Sequence, residues 1–241
     1  MKILRFLPAV AAIGLALLLL AGPGSRMALW DFRFGFTLMR VALYVGAACT
    51  VLGIVLALVP KVRMEQLGAM LLSIFIGAAT VTPILLQVKK ARSLPYIHDL
   101  TTDTVNPPVF VDVAPLRADA PNPVEYGGDE IAAKQRAGYP DLGPLRVSKA
   151  PEAVFEPAVA AAEAMGWEIV ATEPAEGRIE ATETTFWFGF KDDVVIRIRP
   201  DGSGSIIDMR SKSRVGGSDV GANAGRIERY LAELSGRLEK G

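Results

Sequence analysis

The chain has 241 residues with 26 basic and 26 acidic side chains, so its formal net charge is zero, and 51% of its residues are hydrophobic. Its mean hydropathy of +0.31 is high for a soluble protein. From Leu145 to the end, 13 Lys and Arg residues accompany 16 Asp and Glu residues, and this balance of −3 argues against nucleic acid as a partner. The single cysteine, Cys49, excludes an intrachain disulfide and a thiolate metal site.

Three long apolar stretches dominate the amino-terminal part of the chain. They cover residues 3–21, 41–59 and 67–88, and each is close to the ~20 residues that a helix needs to cross a bilayer. None contains an acidic residue, and Arg5 is the only base inside them. We therefore predict a membrane anchor over residues 1–92, with three transmembrane helices at about these positions and the lipid bilayer as partner.

The first apolar stretch also resembles a secretory signal, because Lys2 and Arg5 precede a leucine-rich centre. Its exit sequence lacks an A-x-A site and contains Pro23, so we expect an uncleaved helix. A cytoplasmic amino terminus followed by three crossings would place the rest of the chain outside the cytoplasm. In this orientation, four of the basic residues that flank the stretches lie on the cytoplasmic side and six on the other side. The positive-inside rule therefore weakly favours the opposite orientation.

Residues 93–144 form a proline-rich connector, because ten of the sixteen prolines lie between Pro95 and Pro157. Within it, residues 107–113 alternate in the manner of a short edge strand that packs on the following domain. Residues 118–138 contain little to bury and are predicted to form an exposed loop.

Residues 145–241 are predicted to form a head domain. Pro151, Glu152 and apolar residues at three-four spacing indicate an amphipathic helix ending at Gly166. Four β-rich runs follow at residues 167–172, 178–188, 193–199 and 205–213, with short turns between them, and a last helix covers about 220–238. The predicted fold class is N-terminal transmembrane α-helices followed by a two-layer α+β domain of helix, four-stranded antiparallel meander and helix.

One part of the head resembles a known family. Residues 188–199, with the step Asp192-Asp193-Val194, are followed by the run RSKSRVGGSDVGAN at residues 210–223 and then by Arg226-Ile227. This pattern resembles the domain-of-unknown-function family numbered 1499, over most of the chain from Ile97 onward, and the preceding anchor resembles its bacterial branch. The resemblance implies an envelope protein with a periplasmic head, and it implies no catalytic residues.

Basic residues recur with period two on the predicted helix-free face of the sheet. Arg210, Lys212 and Arg214 alternate along the fourth strand, and Arg197 and Arg199 alternate along the third. A ligand surface is one interpretation of this face. The alternative is a solvated polar face whose bases pair with acidic residues across the strands.

A glycine-rich turn at residues 216–219 leads directly into the last helix. Free amide groups and the helix dipole favour an anion at such a position, although Ser218 or Asp219 capping the helix explains the same residues. The hypothetical ligand-binding residues are those around this turn: Arg210, Arg214, Ser218, Asp219, Asn223 and Arg226.

Other site chemistry is sparse in the sequence. His98, Asp99 and Asp103 are too few for a metal site, so we predict a hydrogen-bonded anchor there and no metal or cofactor. The aromatic run at residues 186–190 is expected to be covered by the connector. We predict a binding or assembly module whose partner is an envelope protein or a small anionic ligand. The alternative is an enzyme or sensor that acts on a small anionic ligand or a lipid headgroup.

Overall fold

The computed structural model describes residues 2–240, which divide into two compact units. The first unit contains the residues up to Lys90 together with the short segment Phe186–Gly189. The second unit contains Ala91–Thr185 and the chain from Phe190 onward. The division of the chain at residues 93 and 145 stays a prediction.

The first unit is built from three long helices, preceded by a 3₁₀ turn at Lys2–Phe6: α1 (Leu7–Arg26), α2 (Phe32–Leu58) and α3 (Pro60–Ser93). All three are long and apolar enough to cross a membrane. The second begins nine residues before its predicted start, because Asp31 caps it through a 2.8 Å bond from the Arg33 amide. The third contains a non-helical residue, Gln66, just before the predicted start at residue 67.

Small residues allow α2 and α3 to approach closely. A side chain at Gly46 of α2 would place its Cβ 3.0 Å from Thr80 of α3, and one at Gly53 would lie 3.1 Å from the Met70 carbonyl oxygen. Small residues at helix contacts are typical of apolar helix pairs, which gain stability from close backbone packing.

The segment Phe186–Gly189 packs on α1 and α2. The Trp187 indole occupies the space beside Gly22, where a Cβ would lie 2.4 Å from it, and the Phe188 ring lies 5.0 Å from the Phe36 ring. The expectation that the connector covers this aromatic run is therefore wrong. Trp187 and Phe188 pack against helices of the first unit, whereas Phe186 stays 89% exposed.

The second unit contains a six-stranded antiparallel sheet with helices, and its fold class agrees with the prediction. Its strands are β1 (Asp99–Thr101), β2 (Leu145–Val147), β3 (Glu168–Glu173), β4 (Arg178–Thr184), β5 (Lys191–Asp201) and β6 (Gly204–Ser213). Its helices are α4 (Val113–Leu116), α5 (Gly128–Gly138), α6 (Pro151–Ala164) and α7 (Ala222–Lys240), and Pro174–Glu176 form a 3₁₀ turn.

The sheet has two more strands than the predicted four. The strand order is β1-β6-β5-β4-β3, and β2 also pairs with β6. β3 to β6 form the predicted meander, whereas β1 comes from the connector and β2 precedes α6. The free edge of β1 is closed by Gln135 of α5, whose side chain exchanges two hydrogen bonds of 3.0 and 2.6 Å with the Thr101 backbone.

Helices α6 and α7 cover one face of the sheet, as predicted. They bury the main apolar core together with Ile196 of β5 and Met209 of β6. Trp167 stacks on Tyr230 at 5.2 Å, and the Tyr230 hydroxyl donates to the Ala158 carbonyl at 3.0 Å. The two-layer arrangement follows from the apolar stripes on both helices.

Connector residues cover part of the opposite face, and two local predictions for the connector are wrong. Residues 107–113 contain no strand, because the amides of Val111 and Val113 each donate to the Glu180 carboxylate at 2.7 Å instead of to a neighbouring strand. Residues 118–138 are not one exposed loop, since they include α5 and its buried Ala132. Phe110 and Val113 pack on Val195 of β5 and form a second, smaller core.

Candidate functional site

The polar face is the side of the sheet opposite α6 and α7. Alternation along β4, β5 and β6 places charged and hydroxyl side chains there at most of the alternate positions, and Val195 of β5 is an apolar exception. Most of them are buried, because the connector lies over them. The residues of the polar face are Glu180, Thr182, Asp193, Arg197, Arg199, Asp208, Arg210, Lys212 and Arg214.

At one edge of the polar face, Asp99 of β1 binds two bases of β6. The Arg210 guanidinium donates from Nε to Oδ1 at 2.9 Å and from Nη2 to Oδ2 at 2.8 Å. The Lys212 ammonium lies 2.9 Å from the same Oδ2. One buried carboxylate thus forms ion pairs with two buried bases.

Asp193 of β5 binds a second pair of bases. Arg214, which directly follows β6, donates to both of its carboxylate oxygens, at 2.9 and 2.8 Å, and Arg117 of the connector donates to Oδ2 at 3.1 Å. The Thr182 hydroxyl also donates to Oδ1 at 2.7 Å. Both carboxylate oxygens are therefore fully used by the protein.

These two clusters together form the basic group, which we define as Arg117, Arg210, Lys212 and Arg214. Within residues 2–240, its four bases contact two carboxylates, those of Asp99 and Asp193. Burial lowers the pKa of Lys212 and the pKa of Arg117, and the nearby carboxylates only partly oppose that effect. The basic group is thus a buried excess of positive charge.

In the neighbouring charge clusters the acids equal or outnumber the bases. Arg197 and Arg199 both contact Asp208 and Asp103, so two bases meet two acids. Arg178 of β4 contacts three carboxylates, among them that of Glu180 at 2.7 Å. The positive excess is therefore local to the basic group.

The turn before α7 is organised by Ser218 and Asp219. The Asp219 carboxylate accepts from the amides of Gly221 at 2.9 Å and Asn223 at 2.7 Å, and the Ser218 hydroxyl accepts from the Val220 amide at 3.3 Å. Burial raises the pKa of the Asp219 carboxyl, and the two amide bonds oppose that rise. Asp219 therefore caps the first turn of α7 through the Asn223 amide, whereas Ser218 orders the turn that precedes the helix.

Arg226 and Asn223 belong to a buried network on the helix side of the sheet. Arg226 contacts the carboxylates of Glu183 and Asp192, the latter at 2.6 Å, and donates to the Ser211 hydroxyl at 2.9 Å. Ser211 donates to Asn223 at 2.7 Å. Asp192 thus lies on the helix side, whereas Asp193 lies on the polar face, as strand alternation requires.

The six hypothetical site residues therefore occupy two places. Arg210 and Arg214 lie on the polar face, in the basic group, and the other four lie at the turn or on the helix side. That the six form one ligand site stays a prediction.

A cavity of about 430 Å³ lies beside Arg210, between two connector segments at residues 106–110 and 124–126. The Arg210 guanidinium carbon is 4.9 Å from the centre of the Phe110 ring and 5.4 Å from that of Tyr126. The Tyr126 hydroxyl is buried and has no hydrogen-bond partner in the part of the chain that the structure describes, and burial raises its pKa to about 12. It is therefore a protonated donor at neutral pH.

Phe110, Arg117 and Tyr126 contribute to this region and were not among the hypothetical site residues. All three lie in the connector, which the sequence indicates only as proline-rich. The available signal was the set of large side chains between the prolines, since a disordered linker has few aromatic residues.

The residues considered for a metal have other contacts. Asp99 is paired with the basic group, and Asp103 contacts Arg197 at 3.0 Å. The His98 carbonyl accepts from Ser213 and Asn223 and so joins the connector to β6 and α7. Among residues 2–240, no group of three potential metal ligands comes together.

The fold defines the class of protein as an antiparallel α+β domain preceded by three helices that are long and apolar enough to span a membrane. The sequence matches the family described as "Protein of unknown function (DUF1499)" over residues 99–234, and the chain belongs to that family. A search of curated proteins gives no match.

Proposed function

We propose that this protein is a binding or assembly module of the bacterial cell envelope, anchored in the inner membrane by α1, α2 and α3 with its head on the periplasmic side. The observation that carries the binding role is the basic group, in which three buried bases and the partly buried Arg214 share Asp99 and Asp193. The three apolar helices support the anchored location.

Excess buried charge has an energetic cost that a negatively charged partner can reduce. A base taken out of water loses hydration, and a carboxylate or phosphate close to it restores a favourable interaction. Arginine is suited to such partners because its planar guanidinium can donate two parallel hydrogen bonds. The module therefore recognises a carboxylate or phosphate on a small ligand or on an envelope protein.

Within the six hypothetical residues, we assign anion contact to Arg210 and Arg214 and a supporting role to the other four. Ser218 orders the turn before α7, Asp219 caps that helix, and Asn223 and Arg226 connect it to the sheet. Changing the supporting residues should reduce function in proportion to the loss of folded protein.

Lys212→Met gives the sharpest test, because it removes one surplus base without leaving an acid unpaired. Asp99 keeps its bidentate bond with Arg210. We expect a thermal midpoint within a few degrees of the wild type and loss of complementation in a deletion strain. Arg237→Ala, which removes a base from an exposed ion pair with Glu233, is the matched control and should complement fully. Full complementation by Lys212→Met at normal protein level would refute the binding role of the basic group.

The proposed orientation is tested separately. Alkaline phosphatase and a fluorescent protein, each fused at the carboxyl terminus, report the side of the membrane on which the head lies. Phosphatase activity without fluorescence is expected, and the reverse result would place the head in the cytoplasm.

An enzyme or sensor acting on a small anionic ligand or lipid headgroup is the second candidate. The cavity beside Arg210 favours it, because a small ligand requires a concave site. A sensor would bind the ligand unchanged, whereas an enzyme would convert it. Mass spectrometry of the ligand recovered after incubation with the protein separates these two roles.

A further inference from the structure

The cavity beside Arg210 has the size of a site for a small molecule. Its volume of about 430 Å³ lies within the ~300–1,000 Å³ of typical ligand pockets. Most of its wall comes from Pro107, Val109, Phe110 and Val124. A ligand that fills it therefore needs an apolar body.

Two polar side chains at the cavity, those of Arg210 and Tyr126, have an unused hydrogen-bond donor. Arg210 uses Nε, Nη2 and one N–H of Nη1 in four bonds, to Asp99, Val124 and Pro108, and this leaves a second Nη1 hydrogen. The Tyr126 hydroxyl has no partner among the described residues. Because buried donors are normally satisfied, a ligand here should present acceptor oxygens.

The charge beside the cavity favours an anion. Arg210 lines the cavity and belongs to the basic group, whose four bases exceed their carboxylates by two. Among the described residues, the acid in the cavity wall is Glu125, which is exposed and so screened by solvent. With Glu125 included, one positive charge remains unmatched. A ligand with a single negative charge balances it.

We propose that this cavity binds a small organic monoanion with an apolar or aromatic body, with Arg210 and Tyr126 donating to its oxygens and Phe110 contacting its body. This inference rests on the binding role proposed above and names the ligand class. The anionic group could belong to a soluble acid or to a lipid.

The test uses the full-length protein in nanodiscs of neutral lipid, with 2-naphthoate as probe and its neutral amide as matched control. Saturation-transfer NMR should show saturable binding of the acid and at least about tenfold weaker binding of the amide, the effect of losing one charge-assisted hydrogen bond. Equal binding of the two compounds would overturn the assignment of an anion.

Two variants locate the probe. Tyr126→Phe keeps the ring and removes the hydroxyl, so binding should weaken by about tenfold. Val109→Trp fills the cavity from a position that is 68% exposed, so it should abolish binding while the thermal midpoint stays unchanged. Undiminished binding to a folded Val109→Trp protein would show that the probe binds elsewhere and would exclude this cavity.

The source of the anion is resolved by competition. Phosphatidylglycerol in the nanodisc displaces 2-naphthoate if a lipid headgroup occupies the cavity, and it has no effect if the natural ligand is a soluble acid. Either result supports the same site chemistry. If 2-naphthoate does not bind the wild type while Lys212→Met still fails to complement, the ligand class is wrong and the proposed binding function stands.

Discussion

Asp99 and Arg210 form a bidentate ion pair between β1 and β6, with Nε–Oδ1 and Nη2–Oδ2 distances of 2.9 and 2.8 Å. Both side chains are almost completely buried. The pair joins β1, near the start of the connector, to β6. The same carboxylate also binds Lys212, so a single acid near the beginning of the second unit compensates two bases near its end.

Asp99→Ala should destabilise the protein by about 3–5 kcal/mol, because Arg210 and Lys212 would remain buried without a carboxylate. Chemical unfolding of the detergent-solubilised protein measures this change. Asp141→Ala, at an exposed acid, is the control and should stay within about 0.5 kcal/mol of the wild type. A similar small loss for Asp99→Ala would mean that the two bases find other partners.

The regular elements of the head could be predicted because each has a local signal. Alternation indicated β4, β5 and β6, and apolar residues at three-four spacing indicated α6 and α7. The connector lacks such a signal, since its order depends on partners far along the chain. The amides of Val111 and Val113, for example, are satisfied by Glu180, 69 and 67 residues away.

In the candidate site, too, local features could be predicted from the sequence and long-range contacts could not. The bases at period two on β6 could be read from the sequence, because the side-chain direction in a strand has a fixed period. Their partners could not, since Asp99 is 111 residues from Arg210, and Arg117 is 76 residues from Asp193. Whether the polar face is solvated or buried is decided by that long-range packing.

The stability of the protein should depend on the protonation of His98, the only histidine. Burial lowers its pKa below 6.5, while a bond to the Gly217 backbone and the nearby Asp99 and Asp219 partly oppose the shift. The folded state then binds fewer protons than the unfolded state, so stability falls as the pH drops below about 6.5 toward the lowered value.

His98→Asn should remove this part of the pH dependence. Unfolding free energies measured between about pH 8 and pH 5 should decline less in the variant than in the wild type. The difference between the two profiles isolates His98 from other groups, such as Asp219, whose raised pKa acts in the opposite direction. Parallel profiles would contradict the prediction.

The packing of Trp187 beside Gly22 predicts a coupled pair of mutations. Gly22→Leu should destabilise the first unit, because the indole lies 2.4 Å from the new Cβ position. Adding Trp187→Ala should recover part of the loss, with a coupling energy of about 0.5–3 kcal/mol. Gly68→Leu in α3, where no atom lies within 4 Å, is the control. Thermal unfolding in detergent compares the wild type, the two single variants, the double variant and the control. Additive effects of the two single changes would rule out the contact.

The last prediction concerns which part of the chain folds without α1, α2 and α3. A fragment from Ile97 keeps β1, Asp99, Arg117 and α5, so it retains both partners of the basic group and the cover of the polar face. A fragment from Leu145 loses all of these and leaves Arg210 and Lys212 without Asp99. In both fragments Trp187 and Phe188 are replaced by Ser, since these rings pack within the first unit.

The fragment from Ile97 should show dispersed amide signals in NMR spectra and one cooperative unfolding transition, whereas the fragment from Leu145 should show neither. The physical reason is that β6 would expose one edge where β1 was paired and would carry buried bases without their acids. Replacing Arg210 and Lys212 by Met in the shorter fragment separates these two causes. If folding returns, unpaired charge was the obstacle, and if it does not, the missing strand and connector were. Cooperative unfolding of the unaltered shorter fragment would show that the connector is only a covering and that the domain begins at Leu145.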